Sequence, residues 1–461
     1  TVEVASSNFK KALDTFFDSK IYQRYFVDNG EFNGIDINKA TGLLLKLGST
    51  VQLGFNALAN LANVGTGIAM LNIEAASGEF FNASELAKAD ATYIKELKSY
   101  ISDIGQRIPD SWLSLFDDMF DVRQDFSGKI KHKNWLNKTI LTRIFGPGFQ
   151  YIGQEAGDHW LYNRTALGIA IRTKLLDNTT GKQISLKDAL ERVPINPNNL
   201  KLGYKLQIKE GVTNLDGSKF TEKNIADITN KITYVNQHLF GIYNKEDSIA
   251  ARRVIWGKFI MQYRDWIPAQ FRARFGTKTT NMMKGGIVEG YYRTTYNFGK
   301  QLYNELTVGE KNLKEVWNDL EDYEKANVKR AVTEVFQFIV VAAICTLLGK
   351  PKNKDRRWAM RVLNYWALRE RTELAALIPS PFMLTEGIKL VKSPVANTSL
   401  WSDIANLTSC LWIPNWMDEI ESGEYKGHSS GYRAFMRSPL TLWYRTLKRT
   451  YNPEKAQQFY E

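Results

Sequence analysis

Val335–Gly349 (VFQFIVVAAICTLLG) is almost purely apolar, and the chain runs from it directly into Lys350–Arg357 (KPKNKDRR), a dense cationic cluster. An apolar helix stopped by cations is how a chain sits at a bilayer, its charges left in water or on anionic headgroups. As a helix the run is about 22 Å long at 1.5 Å per residue, short of the roughly 30 Å of hydrocarbon in a bilayer. Extending it back to Ala331 takes in Glu334. Taken alone, the run therefore reads better as a helix buried in protein. Trp358–Ile378 follows with Trp358, Val362, Tyr365, Trp366, Leu374 and Leu377 at helical spacings, so the two segments read as a helical hairpin turned by the cationic cluster. Carrying that turn across a bilayer is costly, so true insertion implies an oligomer or a channel.

The surrounding composition is that of a folded protein. The 461 residues are 44% hydrophobic and 24% charged, an ordinary globular balance that excludes disorder over most of the length. Lys and Arg number 61 against 49 Asp and Glu, a net charge of +12 that favours nucleic acid, anionic lipid or an acidic protein channel. Only Cys345 and Cys410 are present, which leaves neither a disulfide framework nor a thiolate zinc site and points to synthesis in a reducing cytoplasm. The chain opens Thr1-Val2-Glu3 with no signal-peptide pattern, the expectation for a fragment processed from a longer precursor.

Along the chain, Asn8–Asp28 reads as an amphipathic opening helix. Thr41–Gly78 is rich in small residues (Gly48, Gly54, Ala57, Ala62, Gly65, Gly67), with Lys46 and Glu74 its only charges. It predicts closely packed helices, with Gly65-Thr66-Gly67 as a hinge between two shorter ones. Phe80–Leu136 is amphipathic, capped by Asn82 or Ser84 and broken at Ile108-Pro109-Asp110. Phe149–Asp177 predicts one helix and Leu186–Val193 a short second. Tyr204–Val212 alternates as a strand, returning through Asp216-Gly217 toward Phe220, and is the only β expected. Ile225–Phe240, Ser248–Phe275 with a kink at Pro268, Tyr291–Leu306 and Leu313–Leu348 suit helices. Pro351, Pro379, Pro381, Pro394, Pro414 and Pro439 divide the remainder into short pieces. The fold class is thus mainly α: a multi-helix assembly with one small β-hairpin and a Pro-rich C-terminal wrapping segment. Its regions are 1–145, 146–306 and 307–461.

Catalytic signatures are sparse. Glu155, Asp158 and His159 share a helix face in GQEAGDHW, a spacing that metal sites use. With only four His and no H-E-x-x-H, a hydrogen-bond cluster on the helix surface is the better reading, and no metal or cofactor is assigned. Gly65-Thr66-Gly67, Gly146-Pro147-Gly148 and Gly285-Gly286 lack the Lys-Ser/Thr or strand context of a phosphate loop and read as turns. Glu155 is the one carboxylate worth testing as the acid of a peptidoglycan hydrolase, and a solvated helix face outweighs that reading. Arg252–Arg274 (RRVIWGKFIMQYRDWIPAQFRAR) interleaves cations with aromatics. Its plain reading is a core helix with a basic rim; its functional readings are phosphate contact or an interfacial membrane helix. Arg252, Arg253, Trp256, Lys258, Arg264 and Trp266, with Lys350, Lys352, Lys354, Arg356 and Arg357, are the candidate polyanion- or lipid-binding residues, and no catalytic residue is assigned.

The order of segments also carries a resemblance. YIGQEAGDHWLYNRTALGIAIRTKLLD, ISLKDAL, LQIKEGVTNLDG, NQHLFGIYNKED with the Arg/Trp belt after it, VEGYYR, the apolar hairpin and IKLVKSPVANTS together resemble the internal virion region of the very large structural proteins of crAss-like bacteriophages. The resemblance covers roughly Thr41 to Trp412, and GIYNKED and Leu390-Val391-Lys392-Ser393-Pro394 are its most specific parts. It implies a protein packed in the capsid or tail and expelled with the genome, touching phage DNA, portal or tail proteins and the host membrane, in several copies per particle. Relatives neighbour a virion RNA polymerase, but the sequence holds no Asp-x-Asp-Gly-Asp motif, so that activity does not carry over. The expectation is a noncatalytic cargo or ejection protein, against a fixed portal or tail ring or plug, or a peptidoglycan-cleaving module.

Overall fold

The computed structural model describes residues 31–32, 35–36, 57–103, 108, 110–122, 152–241, 266–309, 311–348, 366, 417–422 and 425–437. The chain divides into two compact units, one of Thr1–Ala59, Ile242–Trp266 and Ile378–Glu461, the other of Asn60–Gly241 and Ile267–Leu377. In the first, β1 (Glu31–Phe32) pairs antiparallel with β2 (Ile35–Asp36), and a bridge between Glu419 and Ser429 leads into a short helix, Ser430–Arg437. The opening-helix expectation at Asn8–Asp28 and most of the Pro-rich C-terminal segment lie outside the described residues.

The second unit carries most of the described core. Its helices are α1 (Ala57–Ser77), α2 (Ala83–Asp103), α3 (Trp112–Phe120), α4 (Ile152–Arg172), α5 (Leu186–Ala189), α6 (Glu222–Phe240), α7 (Trp266–Phe275), α8 (Tyr291–Thr307), α9 (Leu313–Asn318) and α10 (Asp322–Leu348). The described residues are 63% helical, with sheets of only two or three strands, so the fold is mainly α as the sequence indicates. The boundaries follow local chemistry. Asn82 and Glu85 form a reciprocal cap for α2: the Glu85 amide donates to Asn82 Oδ1 at 2.9 Å, and the Asn82 amide to Glu85 Oε2 at 2.8 Å. Ser111 caps α3 after the predicted break, and Asp121 ends it in the left-handed region at φ 45°.

Buried faces follow the 3.6-residue period. Leu86, Ala89 and Tyr93 of α2 pack toward α4, and Ile228, Ile232, Val235 and Leu239 of α6 form one stripe. The predicted hinge at Gly65-Thr66-Gly67 is absent: α1 runs through it unbroken. These glycines are contact points. A Cβ on Gly67 would collide with the Leu161 side chain, one on Gly157 with Val64, and one on Gly65 with the indole of Trp366. Helix backbones therefore approach closely where α1 and α4 meet, and close packing outweighs glycine's cost in a helix interior.

Among the described residues of this unit, seven short strands form three sheets where the sequence indicates a single hairpin, some of them in place of predicted helix. α4 ends at Arg172, and Lys174–Asp177 becomes β3, paired antiparallel with β4 (Lys182–Ser185). The turn between them suits Asp177-Asn178-Thr179-Thr180-Gly181: the Thr179 amide donates to Asp177 Oδ1 at 2.9 Å, and Gly181 takes φ +67°. The predicted helix at Leu186–Val193 is a single turn, α5, followed by strand β5 (Leu190–Pro194). β6 (Tyr204–Ile208) pairs with β5 and not with Phe220. β7 (Val212–Thr213) adds to β3, and the chain does turn back at Asp216-Gly217, where Thr213 bridges Lys219. β8 (Thr279–Asn281) and β9 (Gly286–Val288) form a further hairpin.

The glycine contacts generate a paired prediction. Gly157→Ala is expected to destabilise by about 1–3 kcal/mol through overpacking. Gly299→Ala in α8, where an added methyl meets nothing within 4 Å, is expected to stabilise by about 0.4–1 kcal/mol. Urea unfolding monitored by circular dichroism reads both; equal effects at the two sites would refute the close-approach account.

Candidate functional site

Two buried guanidinium groups organise the α1, α7, α8 and α10 region. Arg274 of α7 and Glu334 of α10 are both 0% exposed and form an ion pair. Arg274 Nε donates to Glu334 Oε1 at 3.1 Å, Nη1 donates to the Gln270 carbonyl at 3.1 Å, and the Tyr291 hydroxyl donates to Glu334 Oε2 at 2.7 Å. Arg330 of α10 sits on Glu74 of α1, with Nε to Oε2 at 2.9 Å and Nη2 to Oε1 at 2.6 Å. Its remaining donors reach Asn327 Oδ1 at 2.8 Å and Glu79, which Lys284 also approaches at 2.6 Å. A planar fork with five donors suits this saturation, since each unpaired buried charge would be expensive.

The electrostatics follow from the packing. Burial pushes the Glu79 carboxyl up, but Arg330 and Lys284 outweigh it and hold it below the ordinary range. His238, stacked on Tyr234, is lowered to about 4, because burial outweighs the attraction of Glu74. Gln270 closes the end of α6 by donating to the His238 carbonyl at 3.0 Å and the Leu239 carbonyl at 2.6 Å.

This network turns α10 inside out. Asn327, Arg330 and Glu334 face the interior beside Ala326, Val328, Ala331 and Val341, while Val332, Val335, Phe336, Ile339 and Val340 face outward; Val332 is 61%, Phe336 64% and Ile339 58% exposed. The helix is thus not buried on all sides, as the apolar run alone had indicated. Val341 is buried and packs with Ile344 and Trp366, which ties the second segment of the expected hairpin to α10 at one residue. Among the described residues no helix is long and apolar enough to cross a membrane.

α4 holds a second polar cluster. His159, expected at the helix surface, is 6% exposed. The Tyr93 hydroxyl lies 2.8 Å from its Nδ1, Asp117 Oδ2 lies 3.0 Å from its Nε2, and Tyr100 stacks on the ring at 4.3 Å between centroids. With Nε2 protonated, the ring donates to Asp117 and accepts from Tyr93. Both ring nitrogens are committed to the core. Among the described residues no group of three His, Cys, Asp or Glu side chains is placed to hold a metal ion. One residue before it, half-buried Asp158 is raised to about 7, first by burial and then by the charge of Glu155.

The sequence-derived binding residues meet the structure only at one edge. Arg252, Arg253, Trp256, Lys258 and Arg264, and Lys350, Lys352, Lys354, Arg356 and Arg357, lie outside the described residues. Trp266 begins α7. Farther along the same belt, Arg272 and Phe271 are exposed, whereas Arg274 is a core residue with its charge matched by Glu334. The even aromatic stripe with flanking cations does not hold over this last turn. Comparison with protein-family models, curated proteins and solved structures finds no match.

Two outcomes test these assignments. Arg274→Met strands Glu334 and is expected to cost about 3–5 kcal/mol, and adding Glu334→Leu is expected to recover much of it; additive losses in a double-mutant cycle would exclude the pairing. For Asp158 the folded state binds its proton more tightly than the unfolded chain, so stability falls as pH rises from 3.8 to about 7. Asp158→Asn removes that loss. Its melting temperature is expected to match the parent near pH 4 and to exceed it above pH 7, and a pH-independent difference would refute the shift.

Proposed function

We propose that this chain is a noncatalytic internal protein of a bacteriophage particle, a tail- or capsid-resident cargo or ejection protein delivered into the host with the genome. The observation that carries this reading is electrostatic. Among the described residues the buried charges are Glu74, Asp103, Asp117 and Glu334 against Arg164, Arg274 and Arg330, balanced to within one. The net +12 of the chain is therefore not spent in that core. A surplus of this size draws a protein to DNA or to an acidic lumen, through interactions that weaken with salt. Arg252, Arg253, Trp256, Lys258, Arg264 and Trp266, with Lys350, Lys352, Lys354, Arg356 and Arg357, supply the polyanion contacts in this reading. The resemblance in segment order to crAss-like virion proteins supplies the setting, and the partners are phage DNA and the portal or tail proteins.

Quantitative mass spectrometry of full particles against particles triggered to release DNA tests the proposal. Loss of this chain in step with the genome is the expected result. Retention at a constant ratio to the portal would overturn delivery and make the chain a fixed ring or plug.

A further inference from the structure

We propose that the outward face of α10 docks the protein onto an anionic lipid surface, lying in the interface without spanning it. The proposal goes beyond particle residence and stands whether or not the chain leaves with the genome.

Val332, Val335, Phe336, Ile339 and Val340 recur at steps of three, one, three and one, which places them on one stripe of the helix. The stripe cannot roll inward. Arg330 and Glu334, on the opposite side of the same turns, are held by Glu74, Arg274 and Tyr291, and turning α10 over would bury the stripe only by breaking both ion pairs and stranding Glu74 and Arg274 as unmatched charges. Polar groups inside and apolar groups outside is the arrangement a helix takes beside lipid, where ionisable side chains turn to the protein interior. From Val332 to Val340 the stripe covers about 12 Å at 1.5 Å per residue, far short of roughly 30 Å of hydrocarbon. That length suits a helix lying in the plane of the headgroups, sunk about 5–10 Å.

Charge selects the lipid. Lys329 is exposed on the same face, one turn before Val332. The net charge is +12, and the apolar run continues in sequence into Lys350, Lys352, Lys354, Arg356 and Arg357. Cations that neighbour an apolar stripe in the chain strengthen binding to an anionic leaflet over a neutral one. A second copy of the chain is a poorer occupant. A stable protein interface takes about 800 Å² and 20–30 residues from each side, and this stripe offers five apolar side chains of one helix.

Flotation of the full chain with vesicles of phosphatidylcholine containing 30 mol% phosphatidylglycerol tests the proposal, with pure phosphatidylcholine vesicles as the reference. Binding to the anionic vesicles, at least tenfold above that to the neutral ones, is expected. Phe336→Ser with Ile339→Ser should lower that binding at least tenfold while leaving the thermal melt unchanged, since both side chains are exposed. If the double variant loses stability, Val332→Ser with Val340→Ser provides the same reading at neighbouring positions. Variant binding equal to the parent's would overturn the proposal, as would sedimentation showing a lipid-free dimer that the same substitutions dissolve. Failure here leaves the particle measurement untouched, and retention of the chain in emptied particles leaves the vesicle result untouched.

Discussion

Two guanidinium groups have to be neutralised in the absence of water, and the unit built on 60–241 and 267–377 is arranged around that requirement. Arg274 comes from α7 and Arg330 from α10, and the groups that hold them are spread along the chain: Glu74 from α1, Glu79 from the turn after it, Glu334 from α10 and Tyr291 from α8. An isolated buried charge costs several kcal/mol after relaxation, so the four segments have few alternative placements once the arginines are inside. Close packing supplies the second constraint. Gly67 and Gly157 admit Leu161 and Val64 where α1 meets α4, which places Glu74 on the far end of a helix already fixed in position.

The inverted character of α10 is a consequence. A helix that must present Asn327, Arg330 and Glu334 inward has to present what lies opposite them outward, and what lies opposite is Val332, Val335, Phe336, Ile339 and Val340. The usual driving force would bury that stripe at about 25 cal/mol per Å² of apolar surface. Instead, saturated ion pairs set the rotation of the helix, and the apolar face remains available for a partner.

Much of the helical content was legible because it rests on short-range patterns. The cap at Asn82, the break before Asp110 and the stripe of α6 are each read from residues no more than a few turns apart. Two features of the network had also left a mark: Glu74 is the only acid in Thr41–Gly78, and Glu334 is the acid that interrupts an otherwise apolar stretch. A lone carboxylate in an apolar helix signals a partner, but nothing in the sequence says that the partners stand 256 and 60 residues away. The errors have the same origin. Gly65-Thr66-Gly67 suggested a hinge because glycine favours bending in isolation, and only the neighbouring helix turns it into a contact. Lys174–Asp177 and Leu190–Pro194 continue helical spacings, yet pair as strands because Lys182–Ser185 and Tyr204–Ile208 are there to meet them.

By itself the sequence determined the mainly α class, the net charge of +12 and the neighbourhood of an apolar run and a cationic one, since these depend on composition and local period. Tertiary structure alone decided which charges lie inside. Arg272 and Arg274 stand two residues apart in one basic belt, and one is exposed while the other is wholly buried. Which of them turns inward depends on where a distant carboxylate waits, because only a matched charge can be taken out of water.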